Sequence, residues 1–159
     1  MIREAEPEDL EEVYELWLEL MRYHQSHHVM FAINPRKVEL QKDELLSRIR
    51  GKRSRILVFE QDGELVGMIN VSMRDASEVF KLHRKGYIAE TVVQDKYRGS
   101  GIGEELFGAA KKWLLDMGAD HIEAQVSVQN PGAQRFWQAQ GFSPSTQHII
   151  LDLREEKRK

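Results

Sequence analysis

A glycine-rich segment well past the middle of the chain has the residue types of an anion-binding loop. Residues 92–103 read VVQDKYRGSGIG, so an apolar run is followed by a basic turn with alternating glycines and then by an amphipathic stretch. Glycine lets the backbone take unusual dihedral angles and lets a ligand approach closely. Because the first turn of a helix leaves N–H groups unpaired beside a charge of roughly +0.5, this segment predicts a phosphate site, with Arg98 and Lys96 at its rim.

Two well-known phosphate loops do not fit this segment. A P-loop would continue with lysine and a hydroxyl residue where Gly103 is followed by glutamate, and the dinucleotide fingerprint has another glycine spacing. The pattern that does fit is Arg-x-x-Gly-x-Gly, formed by Arg98, Gly101 and Gly103. Residues 130–142 add a second motif, NPGAQRFWQAQGF. In this order and spacing the two motifs resemble the coenzyme A-binding segments of the GNAT family of N-acetyltransferases, most clearly over residues 87–153.

The resemblance implies how acetyl-CoA would contact this chain. The N–H groups of the glycine loop and the charge of Arg98 would take the pyrophosphate, and the strand before the loop would pair with the pantetheine amides. Asn130 would bind the pantetheine arm or only cap a helix, and Trp137 would pack against the thioester or only within the helices. The residues implied for the cofactor are Thr91, Val92, Val93, Arg98, Gly99, Ser100, Gly101, Ile102, Gly103, Asn130 and Trp137.

Transfer of an acetyl group to an amine requires a neutral nitrogen. A lysine-like amine has a pKa of about 10.4, so a base or a path of water molecules must remove a proton. Glu90 is the predicted base, because it lies on the strand beside the expected cleft and the family resemblance implies a carboxylate there. The alternatives for Glu90 are a carboxylate that holds the substrate ammonium and one that is paired at the sheet surface.

The second motif departs from the family pattern at one position. Trp137 stands where the family has a tyrosine that often protonates the departing thiolate, and an indole N–H has no usable acidity. Model thiols have a pKa of about 8.5, so coenzyme A is a good leaving group and the loss of that acid does not by itself abolish activity. Tyr87 and Tyr97 are alternative acids that the sequence does not place.

Helical and strand patterns alternate along the chain in an order that would bring both motifs together. The predicted strands are residues 1–5, 56–59, 65–71, 87–93, 122–128 and 148–153, and the predicted helices include residues 10–21, 103–117 and 131–140. Asp62 and Gly63 predict a hairpin turn. A strand at 87–93, a helix and a strand at 122–128 make a βαβ crossover, whose parallel strands bind ligands beyond their carboxyl ends. The family resemblance implies an α/β fold with a mixed, mostly antiparallel central sheet flanked by helices.

Composition restricts the protein to a few classes. The 159 residues are 41% apolar and 31% charged, which predicts one globular domain over residues 1–153 and a charged tail at 154–159. The absence of cysteine excludes disulfides, a cysteine-bound zinc and a cysteine nucleophile, and it is typical of a reducing cytoplasm. No apolar run approaches the roughly 18 residues of a membrane span. We expect no signal sequence, and a net charge of −3 disfavours a nucleic-acid partner.

Three histidines, His24, His27 and His28, have helix-compatible spacing. A metal site would need further ligands that the sequence does not signal, so no metal is predicted. The alternatives are a place in the acceptor pocket, which the family resemblance puts in this region, and solvated surface histidines.

These patterns together predict a cytoplasmic, acetyl-CoA-dependent N-acetyltransferase that acts on a primary amine by direct attack. The acceptor stays open between a small amine, an aminoglycoside-like antibiotic and a protein amine, and the family resemblance allows a homodimer. One alternative is a non-catalytic acyl-CoA-binding sensor or interaction module, which Trp137 favours. Another is a nucleotide-binding domain that uses the same glycines.

Overall fold

A mixed sheet of five strands, in the order β1 to β5, forms the centre of the computed structural model, which describes residues 1–156. Neighbouring strands are antiparallel from β1 through β4, whereas β4 and β5 are parallel. The strands are β1 (Ile2–Glu4), β2 (Ser54–Gln61), β3 (Glu64–Met73), β4 (Lys85–Val93) and β5 (His121–Ala124). The predicted fold class is therefore confirmed.

Helices cover both faces of the sheet. They are α1 (Leu10–Gln25), α2 (Gln41–Arg50), α3 (Ile102–Asp116), α4 (Pro131–Ala139) and the short α5 (Leu153–Glu156). Side chains alternate between the two faces of a strand. Met68 of β3 is accordingly buried with α1 and α2, and its neighbour Ile69 is buried with α3. Every residue of β3 after Glu64 is buried, so this strand is common to both cores.

The tight turns predicted from the sequence are present. Asp62 and Gly63 have φ values of 53° and 78° and join β2 to β3. Two consecutive residues with left-handed backbone conformation form a turn whose twist matches the right-handed twist of the flanking strands. Gly118, with φ of 90°, follows the last turn of α3, as predicted.

A bulge in β4 places Ile88 and Glu90 on opposite faces of the sheet. Ile88 is opposite Val71 and Glu90 is opposite Asn70, which leaves Ala89 without a partner on β3. Since there is one extra residue, Ile88 and Glu90 lie on opposite faces although they are two positions apart. Ile88 is buried in the core under α3, and Glu90 is on the face covered by α1.

Two predicted strands differ from the structure. The strand expected at 122–128 pairs only over His121–Ala124, and the strand expected at 148–153 is wrong, because residues 143–152 have no regular structure. Its apolar side chains favour a strand, but Ile149 and Leu151 are 84% and 69% exposed and the segment lies on no sheet edge. A strand without a neighbour has no partner for its backbone groups.

The predicted charged tail is described only in part. Arg154 belongs to α5, and residues 157–159 lie outside the described residues. Within residues 1–156, no helix combines the length and the apolar character that crossing a bilayer requires.

Candidate active site

A cleft opens where β4 and β5 separate. Residues 85–88 of β4 pair with residues 121–124, but β5 ends there while β4 continues to Val93. The cleft has a volume of about 800 Å³ and extends from the end of α1 to the start of α4. It contains every residue predicted for the site: Glu90, Thr91, Val92, Val93, Arg98, Gly99, Ser100, Gly101, Ile102, Gly103, Asn130 and Trp137.

The glycine loop turns β4 into α3 at one end of this cleft. Gly99 and Gly101 have φ values of 79° and 87°, in the left-handed region that other residues rarely adopt. Gly101 is the N-cap of α3, and the first intrahelical bond runs from Glu105 N–H to the Gly101 carbonyl. The N–H groups of residues 102–104 precede that bond and border the cleft. These unpaired donors, together with the positive end of the helix dipole, make the loop suitable for an anion.

Arg98 lies at the rim of the loop and is held by three contacts. Its Nε donates to the Val93 carbonyl at 3.3 Å, and its Nη1 is 3.1 Å from Asp95 Oδ1. Its guanidinium also lies 5.8 Å from the ring centre of Tyr23, at the end of α1. The side chain is half exposed, so its charge is available to a ligand at the mouth of the cleft.

The open edge of β4 presents backbone groups to the cleft. Gln94 N–H donates to the Val66 carbonyl of β3, whereas the Val93 carbonyl accepts from Arg98 on the other side. Because backbone groups alternate in direction along a strand, the peptide groups of Thr91 and Val93 point away from β3 and into the cleft. By the same alternation the peptide groups of Val92 point toward β3.

Asn130 and Trp137 occupy the opposite wall, on α4. Asn130 Oδ1 accepts from Ala133 N–H at 3.1 Å and thereby caps the helix, which leaves its amide Nδ2 as the group not used by the cap. Trp137 is 9% exposed and meets the rings of Phe107, Phe136 and Phe142 edge-on, at centroid distances of 5.4, 4.8 and 5.1 Å. Trp137 is thus part of an aromatic cluster and of the cleft wall at the same time.

Glu90 is a titratable carboxylate in the middle of the cleft. Asn70 Nδ2 donates to Glu90 Oε2 at 2.7 Å. Burial raises the pKa of Glu90 above its ordinary value, while hydrogen bonds from Asn70 and Trp17 and the charge of Arg48 oppose this rise. A carboxylate of raised pKa is a better proton acceptor than an exposed one.

The end of α1 brings Leu20, Tyr23 and His24 to the cleft. The ring of His24 stacks on Phe31 at 5.0 Å, and its Nδ1 is buried without a hydrogen-bond partner among the described residues. Burial, and secondarily the neighbouring His27, lower the pKa of His24. Across residues 1–156 no group of histidine, aspartate and glutamate is arranged to hold a metal ion.

Sequence reasoning did not find the partners of Glu90. Asn70 is 3% exposed and interrupts an apolar strand. A polar residue within a buried strand needs a polar partner, and this could have pointed to the contact with Glu90. Trp17 lies on the apolar face of α1 and reads as an ordinary core residue. The residue types of β4 do not indicate the bulge at Ala89.

Solved structures share this architecture over nearly the whole chain. A crystal structure of a mutant BH1408 protein from Bacillus halodurans gives a TM-score of 0.86 at 24% identity, covering 96% of this chain and 98% of that one. The aminoglycoside N-acetyltransferase AAC(6')-Iy, in complex with CoA, gives a TM-score of 0.73 at 19% identity, with coverage of 96% and 98%. At these identities the likeness establishes the fold.

Sequence comparison identifies the family. N-alpha-acetyltransferase MAK3 from Arabidopsis thaliana is 31% identical over 144 residues, which are 87% of this chain and 73% of that protein. The model of the acetyltransferase (GNAT) family matches residues 10–142, and thus most of the chain. The enzyme class predicted from the sequence, an acetyl-CoA-dependent N-acetyltransferase, is confirmed, and the chain belongs to the acetyltransferase (GNAT) family.

Proposed function

We propose that this protein transfers an acetyl group from acetyl-CoA to a primary amine by direct attack of the nitrogen on the thioester. The observation that carries the proposal is the cleft itself, since a glycine loop suited to an anion, an open strand edge and a partly buried carboxylate all border one cavity. Each of these features suits a different part of the reaction.

The loop and the strand edge would seat the donor. Backbone N–H groups of residues 102–104 and the Arg98 guanidinium offer hydrogen bonds and charge to the pyrophosphate. The peptide groups of Thr91 and the N–H of Val93 would pair with the pantetheine amides as an added strand would, while the Val93 carbonyl accepts from Arg98. Nδ2 of Asn130 would donate from the opposite wall. Trp137 would close the cleft around the acetyl group.

Glu90 would prepare the acceptor. Its carboxylate attracts the ammonium form of the amine and takes one proton from it, and the neutral nitrogen then attacks the carbonyl carbon of the thioester. The C–N bond forms, the C–S bond breaks, and coenzyme A leaves as the thiolate or thiol. No covalent enzyme intermediate is needed.

A panel of amines tests this function. Purified protein is incubated with acetyl-CoA and, separately, with a peptide that has a free N-terminus, with lysine, with spermidine and with kanamycin, and release of free thiol is measured. We expect amine-dependent release with at least one acceptor and a mass increase of one acetyl group on that acceptor. Arg98→Ala should raise the KM for acetyl-CoA, whereas Arg36→Ala, an exposed arginine away from the cleft, should not.

The nature of the acceptor follows from the same panel. MAK3 is named an N-alpha-acetyltransferase and AAC(6')-Iy an aminoglycoside N-acetyltransferase, so the peptide and kanamycin represent the two groups of relatives. A dependence on the first residues of the peptide would favour a protein N-terminus.

A second candidate function is an acyl-CoA-binding sensor or interaction module. Trp137 favours it, because the cleft wall holds an indole that cannot transfer a proton. Thermal stabilisation by coenzyme A, with no thiol release for any amine in the panel, would support this function and contradict acetyl transfer. Stabilisation by ATP or NAD but not by coenzyme A would contradict both.

A further inference from the structure

His24 lies on the same face of α1 as a partner of Glu90. Trp17, which hydrogen-bonds to Glu90, precedes His24 by seven residues, or two helical turns of about 10 Å in all. Leu20 lies between them and also borders the cleft. The cleft-facing side of α1 therefore leads from the Glu90 carboxylate to the His24 imidazole.

The surroundings of His24 favour the neutral imidazole. Nδ1 is buried and has no partner in the described part of the chain, and the ring stacks on Phe31 and meets the edge of Tyr23 at 5.5 Å. Burial and the adjacent His27 lower the pKa of His24. A neutral imidazole at pH 7 can accept a proton, and as imidazolium it can donate that proton again.

The other titratable groups of the cleft are less suited to carry a proton. The cleft-lining set is Tyr23, His24, Glu90, Tyr97, Arg98 and Glu104. Arg98 does not lose its proton, and its guanidinium covers the Tyr23 ring. The ring of Tyr97 lies 5.1 Å from the ammonium of Lys96. Glu104 is in the first turn of α3, beside the anion loop.

The reaction releases a second proton that Glu90 does not carry. An ammonium nitrogen loses two protons on becoming an amide: one before it attacks, and one after the C–N bond has formed. The departing sulfur gains one proton, and the other goes to solvent. Glu90 accounts for the first proton, and Trp137 can neither accept nor supply the second.

We propose that His24, acting through a water molecule in the cleft, takes the second proton from the adduct nitrogen and returns it to the coenzyme A sulfur as the C–S bond breaks, an inference that rests on the proposed acetyl transfer. The neutral imidazole becomes imidazolium in the first step and is neutral again after the second, so that charge and protons balance. The charged or titratable groups around this path are Glu90 from β4, Tyr97 and Arg98 from the segment before α3, Glu104 from α3, and Tyr23 and His27 from α1.

The pH dependence of kcat/KM tests the proposal, with the most active amine of the panel as acceptor. In the wild type both Glu90 and His24 must be deprotonated, so log kcat/KM should rise with a slope of two on the acid side. His24→Gln should lower kcat at pH 7 by about 10²-fold, leave the KM for acetyl-CoA unchanged and reduce that slope to one. His148→Gln, an exposed histidine outside the cleft, should behave as wild type.

An NMR titration of the wild-type protein, labelled at its histidine side chains, gives a readout that does not depend on turnover. The His24 resonance, assigned by its loss in His24→Gln, should titrate below the ordinary histidine pKa and should shift when coenzyme A is added. A pKa at or above the ordinary value, or a slope of two that persists in His24→Gln, overturns the role of His24. If the wild type acetylates no amine, the proposed function fails, and this inference fails with it.

Discussion

The environment of Glu90 disfavours the charged form of its carboxyl group, mainly through burial. A folded-state pKa raised above the unfolded value means that the protonated carboxyl contributes stability that is fully present below the ordinary pKa. This contribution is lost as the pH rises through the raised folded-state pKa. Above that pH range the ionised carboxylate therefore opposes folding, whereas in the proposed reaction it would attract an ammonium ion.

Replacement of Glu90 by glutamine should separate these two effects. We expect Glu90→Gln to lower kcat/KM at pH 7 by about 10²- to 10⁴-fold. The deficit should shrink as the pH approaches the amine pKa of about 10.4, because free amine then exists in solution. The melting temperature at pH 7 should rise, and the rise should vanish near pH 4. Glu78→Gln, on an exposed loop, is the matched control; an unchanged pH–rate profile in Glu90→Gln would remove the base role.

The glycine loop depends on backbone conformation rather than on space. A Cβ at Gly101 would meet no atom within 4 Å, but φ is 87°, so Gly101→Ala should cost about 1–2 kcal/mol through strain alone. The same variant should weaken coenzyme A binding, because the N–H groups of the first turn would shift. Gly108→Ala, in the middle of α3 and also free of contacts, should instead stabilise by about 0.5–1 kcal/mol. Thermal unfolding measures the stability of both variants, and titration with coenzyme A measures their affinity. Equal stabilities of Gly101→Ala and Gly108→Ala would contradict backbone strain at Gly101.

The bulge in β4 also shapes the site, by setting the course of β4 beside the cleft. Deletion of Ala89 would leave Ile88 and Glu90 opposite Val71 and Asn70 as before, with the strand now regular. Since bulges bend strands, the deletion should straighten β4 against β5 and narrow the cleft. We expect a folded protein with intact far-UV circular dichroism and at least tenfold weaker coenzyme A binding by calorimetry. Undiminished binding would mean that the bulge does not open the cleft.

At the scale of the whole molecule, Asp120 ties the loop between β3 and β4 to the start of β5. Asp120 Oδ2 accepts from the N–H groups of His83 and Arg84, each at 3.1 Å, and Oδ1 is 2.7 Å from His121 Nδ1. The His121 contact is the main cause that lowers the pKa of Asp120 from 3.8 to about 2. A lowered pKa means stability that is present above pH 3.8 and lost as the pH falls through about 2.

Asp120→Asn should therefore lower the melting temperature at pH 7, and the difference from wild type should disappear near pH 2. Asp116→Asn, an exposed aspartate in the last turn of α3, should not lower it, since a negative charge is unfavourable at a helix C-terminus. A constant difference for Asp120→Asn at all pH values would assign the effect to packing instead of charge.

Much of this architecture is predictable because local patterns and chain order determine it. The apolar run of residues 65–71, the Asp62-Gly63 turn and the helical spacing of apolar residues in 103–117 predict the elements, and the crossover rule then makes β4 and β5 parallel neighbours. The motifs predict the loop and Asn130, which lie at one cleft. What local patterns could not supply was the bulge, the pairing of Glu90 with Asn70 and the position of His24, because these depend on contacts between distant segments.

The prediction of a strand at 148–153 was wrong for the same reason. Its residues are suitable for a sheet, but pairing requires an adjacent edge, and the residues alone do not say whether one is available.

One helix connects the two halves of the reaction. α1 meets Glu90 through Trp17 at one point and lies under Arg98 through Tyr23 at another. A diphosphate would compete with Asp95 for the arginine, and the guanidinium would leave the tyrosine ring as it turned. The part of the cleft that the end of α1 lines, where the amine would bind, would then take its final arrangement only after acetyl-CoA had bound. The order of addition should accordingly be compulsory, donor before amine, with free coenzyme A as the last product to dissociate and a competitive inhibitor against acetyl-CoA alone.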